Sequence, residues 1–258
     1  MSAPRTPGAL VLVPTPLDLG CAPPPDIRAA LPIATLQRAA GLTHWLAENA
    51  RSARAFLKRV DAVVPLAAPL QQQCITELPR AWHKHGDADR SADTAAEALL
   101  APALQGHDVG LLSEAGMPAI ADPGSAVVRA AHRLGLRVEP LVGPVSLMLA
   151  LAASGCPGQH FAFVGYLPID AAQRVQALRA LEATAARQRQ TQIFIETPYR
   201  NAALLQVALQ TLRPDTRLAV ACALGLPQQA VHAATVAQWR RHPPTLPLQQ
   251  PAVFVLGA

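Results

Sequence analysis

The chain has 258 residues, enough for one large or two ordinary domains, and its 51% hydrophobic content excludes a mainly disordered protein. Aromatics make up only 4%, so Ala, Leu and Val must fill the interior, which suits helices packed on sheets. A formal net charge of +5 permits a polyanionic partner, yet Lys58 and Lys84 are the only lysines and the arginines are scattered, as on ordinary solvated faces.

Cys21, Cys74, Cys156 and Cys222 lie far apart without paired metal-ligand spacing, which argues against a disulfide framework and against a metal site. The start, MSAPRTPGAL, is too short in apolar residues for a secretory signal, and no run approaches the roughly 18 apolar residues of a membrane span. A soluble, cytoplasmic protein is expected.

In chain order, Leu10 to Val13 form a short apolar strand ended by Pro14 and Pro16, followed by a Pro-rich loop through Pro25. Leu42 to Ala47 make a second strand. Asn49 is a good cap for a helix from Ala50 to about Arg59, with Ala53, Phe56, Leu57 and Val60 on one face. Ala62 to Val64 continue the alternation as a third strand, and residues 66 to 93 read as irregular. A helix from about Ala92 to Leu104 leads into a strand at 109 to 112, then a helix from Ser125 to Leu134 and a fifth strand from Arg137 to Leu141. Strands alternating with helices argue for a parallel, five-stranded α/β domain over residues 1–142.

A second domain is expected over 143–258. Pro144 opens an apolar helix to Ala153, proline being favoured in a first helical turn. Strands follow at Phe161 to Gly165, Gln192 to Glu196, Leu218 to Cys222, Ala230 to Ala234 and Ala252 to Leu256, with helices at Ala171 to Arg189 and Tyr199 to Leu212. The third and fourth of these strands are too close for a helical crossover, so that pair should be antiparallel and the sheet mixed.

Residues suited to chemistry gather at strand ends, where parallel α/β sheets bind ligands. The run at 108 to 124, DVGLLSEAGMPAIADPG, ends an apolar strand in a loop carrying Ser113, Glu114 and Asp122, the last also placed to cap the following helix. WLAENARSARAFL places Glu48 and Asn49 at another end, PLVGPVS places Gly143, Pro144 and Ser146, and IFIETPYR places Glu196, Thr197 and Pro198. No P-loop, dinucleotide fingerprint or glycine-framed serine occurs. His83 and His85 sit in a polar segment, and the other six histidines are dispersed without ligand spacing.

Taken in order, VPTP at 13 to 16, AENAR at 47 to 51, LLSEAGMPAIADPG at 111 to 124, PLVGPVSLMLALAASGCP at 140 to 157, FVGYLP at 163 to 168 and IFIETPYR at 193 to 200 resemble the tetrapyrrole methylase superfamily. Within it they look most like the ribosomal RNA small-subunit 2′-O-methyltransferase I branch. The resemblance runs from about residue 8 to the strand at 252 to 256.

It implies a two-domain α/β methyltransferase, usually a homodimer, that binds S-adenosylmethionine between its domains. Carried over residue by residue, the cofactor loops fall on Pro14 and Thr15, on Ser113, Glu114, Ala115, Gly116 and Ile120, and on Pro144, Val145 and Ser146. In the second domain they fall on Thr197 and Pro198, and on Ala221, Cys222 and Ala223. Among the strand-end carboxylates Glu48 is the first choice of general base for a hydroxyl acceptor.

The chain also departs from that branch. It reads AENAR for Ala-Glu-Asp-Thr-Arg, YLPIDAAQR where a basic cluster is usual, and CALGLPQQ where an Arg-Glu-Leu-Thr-Lys segment stands; it also stops at the last strand. Losing the charges of those segments weakens an RNA-phosphate surface. A tetrapyrrole or corrin-precursor methylase, and a non-catalytic S-adenosylmethionine-binding module, stand as alternatives to the RNA enzyme.

Overall fold

Strand β1 (Ala9–Val13) shows why the first sheet is buried on both faces. Successive side chains of a strand point to opposite sides, and here Leu10 packs into one apolar cluster while Ala9, Val11 and Val13 pack into another. β2 (His44–Ala47) divides in the same way, Trp45 and Ala47 to one side and Leu46 to the other. A sheet covered on both faces requires such unbroken apolar runs.

The computed structural model describes residues 6–18, 21, 23–85 and 91–257, and the chain divides into two compact units, Met1–Pro144 and Val145–Ala258. In the first, β3 (Cys74–Glu77), β4 (Val109–Leu112) and β5 (Arg137–Pro140) join β1 and β2 in the order β3-β2-β4-β1-β5, with every pairing parallel. Helices α1 (Ile33–Ala40) and α2 (Ala50–Asp61) cover one face; α2 buries Ala53, Phe56, Leu57 and Val60, the stripe read from its spacing. The other face is covered by α3 (Arg80–His85) through Trp82, and by α4 (Ser91–Leu99), α5 (Ala101–Leu104) and α6 (Ser125–Arg133). Gly110 is needed beneath Trp45, its partner across the β2–β4 pairing, because an added Cβ would stand 2.4 Å from the indole.

Several sequence expectations are corrected here. Ala62 to Val64 form a turn, and the third strand is instead β3, inside the stretch read as irregular. β3 is an edge strand with mostly exposed residues, so it lacks the apolar run that marks a buried strand. That stretch also holds α3; its residues 86–90 lie outside the described residues, as do the first five read for a signal. The helix expected at 92 to 104 is two helices broken at Leu100, because Pro102 can neither donate a helical hydrogen bond nor fit its ring against the preceding turn. α1 had no place in the sequence reading.

The second unit holds β6 (Phe161–Tyr166), β7 (Thr191–Glu196), β8 (Arg217–Cys222), β9 (Ala230–Thr235) and β10 (Ala252–Gly257) in the order β6-β7-β10-β8-β9. Only β6 and β7 run parallel; β8 and β9 are antiparallel, as their short connection requires. Phe194 and Phe254 stack at 5.4 Å in its core, beside α8 (Ala171–Gln188) and α9 (Asn201–Thr211). α7 (Ser146–Ser154) starts two residues after Pro144, with Val145 as its N-cap, so Pro144 does not sit in the first turn. A short α10 (Val236–Arg241), unforeseen in sequence, opens on Thr235, whose side chain and Gln238 close a reciprocal capping box.

Candidate active site

β2, β4 and β1 are neighbours in a parallel sheet, so the residues that follow them emerge together at one edge of the first unit. Thr15 and Gly116 pair there through two backbone hydrogen bonds, 2.9 and 3.1 Å, and Thr15 Oγ1 donates to the Ser113 carbonyl at 3.3 Å. Gly143 meets the ring of Pro14 so closely that a Cβ would stand 2.2 Å from it. Pro14, Thr15, Ser113, Ala115, Gly116 and Gly143, far apart in sequence, thus form one construction; Pro144 follows directly, its carbonyl 3.6 Å from where a Cβ on Gly116 would stand.

Next to it, Asn49 caps α2, its side chain accepting from the Arg51 and Ser52 amides, and Glu77 Oε1 accepts from Ala50 N at 2.9 Å. The helix terminus therefore has its own acceptors and is not an open anion site. Ser52 Oγ donates to Glu114 Oε1 at 2.9 Å, and the Glu114 amide donates to Glu48 Oε1 at 3.2 Å. These bonds tie both carboxylates into the wall of a cleft of about 580 Å³ that also includes Phe56, Ser113 and an ion pair of Asp18 with Arg59.

The loop after β4 is strained. Ala119 and Ala121 adopt φ of 63° and 65°, left-handed values that cost a residue with a Cβ about 1–2 kcal/mol, while Gly116 and Gly124 hold φ of 83° and 139°. Strain of this kind persists where surroundings over-determine it, and it clusters at binding sites. Asp122 does not cap α6, whose N-cap is Gly124 without a side-chain hydrogen bond. Instead its carboxyl is half-buried and pushed up to about 7, by desolvation first and then by the charges of Glu48 and Glu114. Ser113 is 5% exposed; its Oγ completes no hydrogen bond of ordinary geometry, and Asp122 is the carboxyl close enough to feel it. Ile120, carried over as a cofactor-loop residue, is exposed.

In the second unit, Thr197 and Pro198 follow β7. Glu196 Oε1 accepts from Thr197 N at 2.7 Å and pairs with Arg200 at 2.8 Å, while its Oε2 is buried without a partner. Asn201 leaves Oδ1 equally unpartnered, its amide nitrogen donating to the carbonyls of Leu248 and Gln250. Ala221 and Cys222 end β8 and are buried with Ala223, which takes a φ of 53°. Val145 and Ser146 begin α7.

Sequence reasoning missed Ser52, Asp18, Arg59 and Arg200. No local spacing links position 18 to 59 or 52 to 114, and only Arg200, one helical turn after Glu196, lay within reach of a pattern argument. Among the described residues, no group of three or more His, Cys, Asp or Glu side chains is arranged to hold a metal ion. Nor is any helix among them long and apolar enough to cross a membrane.

Residues 50–239 match the model of the tetrapyrrole (corrin/porphyrin) methylases. The chain belongs to that family. Among curated relatives, a protein of Mesorhizobium japonicum named ribosomal RNA small subunit methyltransferase I is 36% identical over 151 residues, which is 58% of this chain and 48% of that protein. A protein of the same name from Xylella fastidiosa is 35% identical over 216 residues, covering 83% of this chain and 67% of that one. The chain spans about half the length of several curated relatives it matches. Among solved folds, a uroporphyrin-III C-methyltransferase of Thermus thermophilus, complexed with S-adenyl homocysteine, superposes with a TM-score of 0.50 at 19% identity, covering 97% of each chain. At that identity the likeness concerns the fold.

Proposed function

We propose that this member of the tetrapyrrole methylase family is an S-adenosylmethionine-dependent methyltransferase whose acceptor is a ribose hydroxyl of ribosomal RNA. The observation that carries the choice of acceptor is the acid-lined cleft of the first unit. Glu48 and Glu114 stand in its wall and Asp18 is matched by Arg59, so a tetrapyrrole precursor bearing several carboxylates would meet like charge. Nucleoside hydroxyls and amines, by contrast, are donors that suit carboxylate acceptors. Arg51 stands exposed at the same cleft with no carboxylate partner among the described residues, a place for one phosphate.

When bound, S-adenosylmethionine supplies an electrophilic methyl group on a sulfonium. Pro14, Thr15, Ser113, Glu114, Ala115, Gly116, Ile120 and Pro144 in the first unit, and Val145, Ser146, Thr197, Pro198, Ala221, Cys222 and Ala223 in the second, are the residues we assign to holding it. The donor set fits: Glu196 Oε2 and Asn201 Oδ1 are buried acceptors without partners, and the cofactor carries an ammonium, an adenine amine and ribose hydroxyls. We read the protein further as a cytoplasmic homodimer. In the second unit Met148 and Leu149 of α7 and Phe161, Val164 and Tyr166 of β6 are exposed, apolar surface of the kind that a second copy covers.

Calorimetry with S-adenosylmethionine and its demethylated product tests the cofactor; binding of neither sinks the reading. Transfer of a labelled methyl group into small-subunit ribosomal RNA, set against a small-molecule extract, tests the acceptor. Sedimentation at micromolar concentration tests the dimer, and a monomer there would refute it.

A further inference from the structure

Resting on the ribosomal RNA reading, we infer that Tyr199 of the second unit is a stacking platform for one unpaired base of the acceptor RNA. At 82% exposure it is the most open of the large hydrophobic side chains among the described residues. Its setting is nevertheless fixed. Pro198 opens a single 3-10 turn, Pro198–Arg200, which the Arg200 amide closes by donating to the Thr197 carbonyl at 2.9 Å. The Arg200 guanidinium lies over the Tyr199 ring, 5.8 Å from its centroid and within reach of a cation–π contact.

That guanidinium is anchored in turn. Arg200 Nε donates to Glu196 Oε1 at 3.0 Å and to Thr197 Oγ1 at 3.1 Å, and the Glu196 side chain is fully buried. The ring is therefore backed by a held cation while most of its surface faces solvent, which is one half of a stack already ordered. Ordering the platform in advance lowers the cost of binding, and aromatic side chains and guanidinium planes are what unstacked RNA bases pack against. β6 and β7 run parallel, so the loops after them leave the sheet at the same end. There Ile169 stands 71% exposed on a backbone that buried Arg174 fixes, donating to the Pro168 and Ile169 carbonyls at 2.9 and 2.6 Å.

Charge says what kind of molecule brings the base. Val145–Ala258 holds nine arginines and four acidic residues, so the whole formal charge of +5 belongs to the second unit and the first is balanced. Glu182 and Glu196 are already paired with Arg213 and Arg200, whereas Arg179 and Arg187 of α8 are exposed without a carboxylate partner among the described residues. An RNA strand matches both features, its phosphates meeting a positive unit and its bases offering π-faces to the ring.

The test measures RNA affinity of the full chain by fluorescence anisotropy, with an unpaired RNA oligonucleotide and a fully paired RNA duplex of the same length. The wild type should prefer the single strand. Tyr199→Ala should bind the single strand about 5- to 150-fold more weakly, the range for losing one stacked base, and the duplex almost as before. Tyr199→Phe should keep the wild-type affinity and Tyr199→Leu should behave as the Ala variant does, because stacking needs the ring and not merely apolar surface. The salt dependence of single-strand binding should keep its slope in Tyr199→Ala, since no phosphate contact is removed. Full single-strand affinity in Tyr199→Ala or in Tyr199→Leu would overturn the inference. So would a loss of S-adenosylmethionine affinity by calorimetry, or of the dimer by sedimentation, in Tyr199→Ala, either of which assigns the ring to the cofactor or to a second copy. A wild type that binds S-adenosylmethionine but neither RNA removes the ribosomal RNA reading, and this inference falls with it.

Discussion

Replacing Asp122 by Asn should stabilise the protein, and increasingly so as pH rises. The carboxyl is raised from an ordinary 3.8 to about 7 by desolvation and by its acidic neighbours, so the native state binds its proton more tightly than the unfolded chain does. Between those two values the unfolded chain has lost the proton and the native one keeps it, hence native stability falls as pH climbs through that window and is constant above about 7. Each pH unit is worth about 1.36 kcal/mol, so the whole window carries about 4 kcal/mol, of which about 3 kcal/mol lies between pH 5 and 7. Asn is close in shape and does not titrate. Urea unfolding of both proteins at pH 5 and pH 8, followed by tryptophan fluorescence in a Trp239→Phe background so that Trp45 and Trp82 of the first unit report, measures the difference directly. The advantage of the Asn variant should grow by about 3 kcal/mol between those pH values. A gap that stays constant would refute the placement of Asp122 beside charged Glu48 and Glu114.

Gly110→Ala should destabilise by about 1–3 kcal/mol through overpacking against Trp45, seen as a lower urea midpoint at unchanged slope; a neutral result would mean the indole is free to move. Asn49→Ala removes the α2 cap and should cost about 1 kcal/mol by the same measurement, with Asn49→Asp near neutral. His44 is held below its ordinary value by burial first and by the neighbouring His107, whose ring lies 4.4 Å away. The unfolded chain therefore takes up the proton first, and stability should decline as pH falls below about 6.5; His44→Gln should lessen that decline between pH 7 and pH 5.5, and identical acid profiles would count against the pairing.

The elements legible in sequence were those whose signal is local. The α2 stripe and its Asn49 cap, the apolar run of β4 and the close spacing of β8 and β9 each follow from a few consecutive residues, and each is found where its pattern placed it. β3 was illegible because an edge strand buries little, and the break at Leu100 because an apolar run concealed the effect of Pro102.

The sequence by itself determined a two-sheet α/β chain with parallel strands first, mixed strands second and its carboxylates at strand ends, because periodicity, capping and turn chemistry act over a few residues. Its order of motifs also carried the family. Only the tertiary structure decided which of those carboxylates differ. Glu48, Glu114 and Asp122 all read as strand-end carboxylates in sequence, but the raised titration of Asp122 depends on its burial and on neighbouring charge. Those quantities exist only once β2 and β4 lie side by side and the strained loop turns Asp122 back toward Ser113.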